Sequence, residues 1–264
     1  MPMIVPVRLK GSVVVITGAS RGIGAAFAET LAASGAKVII CARDKAGLDS
    51  VCKRIEKKGG VCSSYVVDVT SSAAVKGFIG KVIRSQGRID ALVNNAGVIH
   101  EYTSIDKIPE EEYVGCMRTN VDSIFYFLKA VIPQMKKQKS GIIVNISSGA
   151  GKRAHAGLSV YAASKFAVEA LTQATAKEFE GTDTRWKGPA APGVSCITLI
   201  PAGGVNTGMR AAIFGKADAK KQQSPESVAI VLRDVLSGKA VVPNGADIFI
   251  RQGAVTEVRD NLSE

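Results

Sequence analysis

The chain is predicted to fold as an α/β sandwich: a doubly wound parallel sheet with helices on both faces. Two observations carry this. Short runs that are apolar throughout, such as "VVVIT" from Val13 and "GIIVNISS" from Gly141, alternate with helical stretches. Strands without polar alternation are buried on both faces, as a parallel sheet between helix layers requires. The chain also has 264 residues, 46% of them hydrophobic, and 27 glycines, which suits one sizeable domain, residues 1–264, with many tight turns.

The elements follow in order. "VVVIT" reads as the first strand, and "GIGAAFAETLAASG" as a helix closed by Gly35. "KVIICA" is the second strand, followed by a helix with Asp44 as N-cap. "SSYVVD" is the third strand, and residues 72–86 its helix. "IDALVNNAG" holds the fourth strand. A long helical region covers 109–137, with Pro133 expected to kink or end it. "GIIVNISS" is the fifth strand, followed by the helix "SVYAASKFAVEALT". Residues 181–193, rich in Pro and Gly and holding the only tryptophan, Trp186, read as a surface loop. "VSCITLI" is the sixth strand, "SPESVAIVLRDVLSG" a late helix with Pro225 near its start, and "ADIFIR" a seventh strand.

Composition narrows the function. The five cysteines are scattered without metal-ligand spacing, and most read as small apolar residues in or near strands, which suits a reducing compartment. With two histidines, His100 and His155, no metal site is expected. No apolar run approaches bilayer length and no secretory signal is read, so a cytoplasmic location is the expectation. The net charge of +11 reads mainly as solvated helix faces. Aromatics do not interleave with the basic runs, so nucleic acid is not the expected partner.

The phosphate chemistry sits in "TGASRGIG", where Gly18, Gly22 and Gly24 are spaced G-x-x-x-G-x-G between the first strand and its helix. A dinucleotide pyrophosphate needs a tight turn, close backbone approach and free N–H groups at a helix N-terminus, and this pattern permits all three. The proton chemistry sits in Tyr161 and Lys165, four residues apart on one helical face. A Lys ammonium about 4 Å from a phenolate stabilises it by about 4 kcal/mol at an effective dielectric of about 20. Tyr161 is therefore expected to ionise well below its usual range.

These segments, with "NNAG" from Asn94, Ser148 and Y-A-A-S-K, resemble the short-chain dehydrogenase/reductase family over residues 10–201, and more loosely beyond. The resemblance implies a Rossmann-type fold with a seven-stranded parallel sheet, a homotetramer or homodimer, and a nicotinamide cofactor. It implies that Ser148 hydrogen-bonds the substrate oxygen, that Tyr161 and Lys165 carry the proton chemistry, and that Asn120 holds a water in the relay to Lys165. Ser147 is out of register. For the cofactor it implies Gly18, Ser20, Arg21, Gly22, Ile23 and Gly24 at the phosphates. Asp68 and Val69 are placed at the adenine, where Asp68 also reads as a helix cap. Asn95, Ala96 and Gly97 lie against the adenosine, Tyr161 and Lys165 near the nicotinamide, and Val205 and Thr207 at the carboxamide. "PAGGVNT" from Pro201 carries one residue more than the family pattern.

The second strand ends in Ala42 and Arg43 rather than an acid, and the resemblance implies that Arg21 reaches the same ribose, so NADP (NADPH) is expected over NAD. The expected activity is hydride transfer between NADPH and a ketone or aldehyde. One version is a 3-oxoacyl reductase docking an acidic carrier protein. The alternative is a non-catalytic NADP(H)-sensing regulatory or scaffold protein. Substrate contacts are expected from the loops after strands 4, 5 and 6, which hold His100, Lys152, Arg153, His155 and Arg210.

Overall fold

The computed structural model describes residues 2–181 and 183–262. Eight strands form one sheet: β1 (Val13–Thr17), β2 (Lys37–Ala42), β3 (Val61–Val66), β4 (Ala91–Asn94), β5 (Gly141–Ile146), β6 (Val194–Pro201), β7 (Asp247–Arg251) and β8 (Ala254–Arg259). Their order is β3-β2-β1-β4-β5-β6-β7-β8. The first seven are parallel, as expected; β8 is an antiparallel addition at the edge. Gln252 and Gly253 join β7 to β8 with φ of +51° and +80°. Two positive φ values in a two-residue loop match the twist of an antiparallel pair.

The continuous apolar runs are explained by the two cores. Val14 and Ile16 of β1 enter the core on one face, and Val13 and Val15 enter the other. The first face carries α1 (Gly22–Ala33), α2 (Lys45–Lys57) and α9 (Pro225–Leu236). The second carries α3 (Ser72–Gln86), α5 (Ser123–Gln138) and α6 (Ser159–Glu180). The caps expected at Asp44 and Gly35 are present: Asp44 Oδ1 accepts from Gly47 N at 3.0 Å, and Gly35 takes φ +88° just past α1.

Several local expectations are corrected. The third strand begins two residues early, because Val61 pairs with Lys37. The region 109–137 is α4 (Glu110–Met117), a π-helical turn (Arg118–Asp122) and α5. Pro133 does not end α5: it lies on the exposed side, where water can serve the carbonyl left without an N–H partner. Asp68 does not cap α3. Ser71 does, accepting from Ala74 N at 3.2 Å, while Asp68 closes a turn onto Thr70 N at 2.9 Å. Cys52 on α2 and Cys62 on β3 are joined as a disulfide, against the expectation of a reducing compartment; Cys41, Cys116 and Cys196 are buried as expected of small apolar residues. Two short helices, α7 (Gly208–Phe214) and α8 (Lys216–Lys220), occupy the stretch read as a loop after β6. The 181–193 segment is irregular as expected, with its residue 182, like 263 and 264, outside the described residues. Among the described residues no helix is long and apolar enough to cross a membrane.

Strand order reverses between β1 and its neighbours β2 and β4. The loops after β1 and β4 therefore diverge, and the crevice between them at the C-terminal strand ends is where a doubly wound sheet binds ligands.

Candidate active site

One cavity of about 860 Å³ opens along this crevice. Gly18, Ser20, Arg21, Gly22 and Ile23 line one part of it. Gly18 has φ +64°, and a Cβ there would lie 2.8 Å from Ala96 Cα. Gly24 stands behind the wall: a Cβ there would meet Asn95 Nδ2 and Gly18 O at 2.5 Å. Asn95 locks the two turns together. Its Nδ2 donates to Thr17 O at 2.9 Å, while Thr17 Oγ1 accepts from the N–H groups of Asn95 and Ala96. The N-terminus of α1 has no side-chain cap, so its first N–H groups are free for an anion. These features fit a dinucleotide pyrophosphate. Gly18→Ala is expected to cost about 1–3 kcal/mol of stability, through the positive φ and the push on Ala96. NADPH affinity should fall at least about tenfold; thermal unfolding and a fluorescence titration would check both.

At the rim, Arg43 faces Asp68. The hydrogen bonds from Thr70 hold the Asp68 carboxyl below its usual range, and Arg43 adds to this. Asp44 is committed to capping α2. Arg21, Arg43, Asp68 and Val69 all line the same stretch of wall.

Ser148, Tyr161 and Lys165 meet in the same cavity. Ser148 follows β5; Tyr161 and Lys165 share a face of α6. Lys165 Nζ donates to Ile146 O at 2.9 Å and lies 5.7 Å from the Tyr161 ring centroid. Burial pushes Lys165 down to about 8, while Cys116 and Glu169 oppose the shift. Burial likewise raises the Tyr161 phenol, opposed by a hydrogen bond from Ser148. This corrects the expectation that the phenol ionises below its usual range: desolvation of the phenolate dominates.

Asn120 sits in the π-helical turn, fully buried and outside the cavity wall. Its Oδ1 accepts from Val98 N at 2.8 Å, and its Nδ2 donates to Val98 O and Ser164 Oγ, each at 2.9 Å. A Cβ at Gly97 would lie 3.3 Å from Asn120 Oδ1 and 3.7 Å from Lys165 Nζ, so both polar atoms pack close to this glycine. Val205 is buried and Thr207 caps α7, and both line the cavity. Gly203 and Gly204, both at positive φ, absorb the extra residue of "PAGGVNT".

The sequence profile of short chain dehydrogenases matches residues 12–217. The chain belongs to the short-chain dehydrogenase family. It is 35% identical to the 3-oxoacyl-(acyl-carrier-protein) reductase FabG of Thermotoga maritima, over 94% of this chain and 99% of that protein. Its structure is similar to that of a metagenomic short-chain oxidoreductase in complex with NADP, with a TM-score of 0.76, 30% identity and coverage of 93% and 98%. It is also similar to a 3-ketoacyl-(acyl-carrier-protein) reductase from Brucella melitensis complexed with NADH, with a TM-score of 0.81, 26% identity and coverage of 93% and 98%. The chain is therefore an oxidoreductase of a family that uses NAD(P)(H).

The segments after β4, β5 and β6 all line the cavity of this short-chain dehydrogenase, but not with all the residues expected. His155 and Arg210 line the cavity; His100 and Lys152 do not. His100 is buried with Nδ1 2.6 Å from Glu101 O. Lys152 turns away from the cavity into an ion cluster with Glu169 and Asp247. Arg210 is paired with Asp218 at 2.5 Å and lies over the Phe214 ring. Tyr102 and Phe214 lie within the expected segments but are not singled out by the sequence; their rings meet edge-on at 5.8 Å, and both line the cavity. The sequence does not flag Cys116 either, whose sulfur lies 3.3 Å from Asn120 Nδ2. No spacing rule flags an aromatic pair formed between the segment after β4 and the end of α7.

Proposed function

We propose that the protein is an NADP-dependent carbonyl reductase, transferring a hydride between NADPH and a ketone or aldehyde. The observation that carries this reading is that Ser148, Tyr161 and Lys165 line the same cavity as the glycine turn after β1. When bound, NADPH supplies the hydride. Ser148 Oγ donates a hydrogen bond to the substrate carbonyl oxygen. Tyr161, kept protonated by burial, gives that oxygen its proton. Lys165 then offsets the charge of the phenolate left behind, and Asn120, which lies close to Lys165 across Gly97, is the residue assigned to the relay water. An acyl thioester is one substrate compatible with this machinery, in line with the FabG relative.

The preference for NADP rests on Arg21 and Arg43 at the ribose end and on Asp44 being occupied with its helix. A charge-assisted contact to a 2′-phosphate is worth about 1.5–3 kcal/mol. Arg43→Ala should therefore lower kcat/KM for NADPH roughly ten- to hundredfold and leave NADH nearly unchanged. Equal losses for both cofactors would make Arg43 structural. The activity itself is tested by following NADPH oxidation across ketones, aldehydes, quinones and oxoacyl thioesters. Turnover with none of them would remove the reductase reading.

A further inference from the structure

We propose that Glu169, braced by Lys152 and Ser147, is a positioning residue that holds Lys165 in its ammonium form and seats the strand end carrying Ser148. The proposal rests on the reductase reading above. Glu169 lies one helical turn beyond Lys165 on α6. Its Oε1 accepts from Ser147 Oγ at 2.9 Å, and the same hydroxyl lies 3.4 Å from Lys165 O. Its Oε2 pairs with Lys152 Nζ at 2.5 Å. Lys152 Nζ also pairs with Asp247 Oδ2, which accepts from Asn261 Nδ2 at 2.7 Å. Gly151 seals the arrangement: a Cβ there would meet Glu169 Oε1 at 2.5 Å, Ser147 Oγ at 2.7 Å and Lys165 O at 3.0 Å.

The charges in this cluster do not cancel. Glu169 and Asp247 are two buried carboxyl groups against the single ammonium of Lys152; burial raises the Glu169 carboxyl, and its contacts with Lys152 and Ser147 oppose that shift and favour its charged form. Burial opposes the Lys152 charge, yet the two carboxylates hold its ammonium above the usual range. One net negative charge therefore stands a helical turn from Lys165. The other groups facing these residues are few. Lys165 is faced by Tyr161 on its own helix and by Cys116 from α4; the cluster is faced by Arg259 of β8, itself paired with Glu257. Loss of the Glu169 charge removes a field that favours both the Lys165 ammonium and the un-ionised Tyr161 phenol. Both effects move the alkaline limb of carbonyl reduction to lower pH.

The test uses the full-length protein labelled with 13C at lysine Cε, wild type and variants, with Lys165 assigned by its loss in Lys165→Met. Lys165 titrates about 8, apart from surface lysines near about 10.4. In Glu169→Gln its midpoint should fall by roughly half to one pH unit, the effect of one charge a turn away in a partly screened site. The alkaline limb of kcat should move with it, and Glu169→Asp should restore most of both. Asp247→Asn should shift the midpoint in the same direction by less, and it carries the test if Glu169→Gln does not fold. An unmoved Lys165 midpoint, with activity lost only in step with Tm, would overturn the proposal. A shifted midpoint in a protein whose wild type reduces no carbonyl would uphold the tie between Glu169 and Lys165 and sink the reductase reading instead.

Discussion

Tyr161→Phe should lower kcat for carbonyl reduction by about a thousandfold and leave NADPH affinity within about twofold of wild type. The size follows from removing a positioned general acid, which contributes roughly 10²–10⁴-fold. The phenyl ring keeps the packing of a half-buried side chain that lies 5.7 Å, ring centroid to Nζ, from Lys165. What is lost is the hydroxyl, together with its interaction with Ser148. Single-turnover kinetics with NADPH in excess isolate the chemical step from product release. Retention of a tenth or more of wild-type kcat would show that another group delivers the proton.

Lys165→Ala is expected to damage two steps at once: kcat by about a hundredfold or more, and NADPH affinity by about tenfold. The ammonium is buried and donates to Ile146 O at 2.9 Å, so truncation also leaves that carbonyl without its partner. The stability cost is about 1–3 kcal/mol. Lys165→Met fills most of the same volume without the charge, and it separates packing from electrostatics. Similar losses in kcat for Ala and Met, with Tm recovered in Met, are the expected pattern. An unchanged NADPH dissociation constant in both variants would remove the cofactor role and leave the proton role alone.

Much of this site was legible because its chemistry is local in sequence. Tyr161 and Lys165 lie within one turn of α6, and Gly18, Gly22 and Gly24 within one βα junction, where spacing alone places them on a common face or turn. The strand runs were legible for a related reason: burial on both sheet faces leaves no polar position, and Val13 to Ile16 divide between the two cores. What could not be read is what long-range packing decides. Lys152 and Asp247 are 95 residues apart, and only the register of β7 beside β6 brings the carboxylate under the β5–α6 corner. Tyr102, in the loop after β4, and Phe214, at the end of α7, likewise meet across the chain. The eighth strand is an exposed edge without the alternation that marks a half-buried strand, and its turn is Gln-Gly rather than the commoner Asn-Gly. The ionisation of Tyr161 was misjudged because sequence spacing gives the distance to Lys165 but not the depth of burial, and depth sets the sign.

The central claim, hydride delivery from NADPH to a carbonyl protonated by Tyr161, is tested most directly by isotope transfer. NADPH deuterated at the transferable nicotinamide position is supplied with whichever carbonyl compound the protein consumes, and the alcohol is analysed by mass spectrometry. The account predicts one deuterium on the former carbonyl carbon in the wild-type product and almost no labelled product from Tyr161→Phe. Oxidation of NADPH that leaves the alcohol carbon unlabelled, or labelled alcohol formed equally fast by Tyr161→Phe, would contradict it.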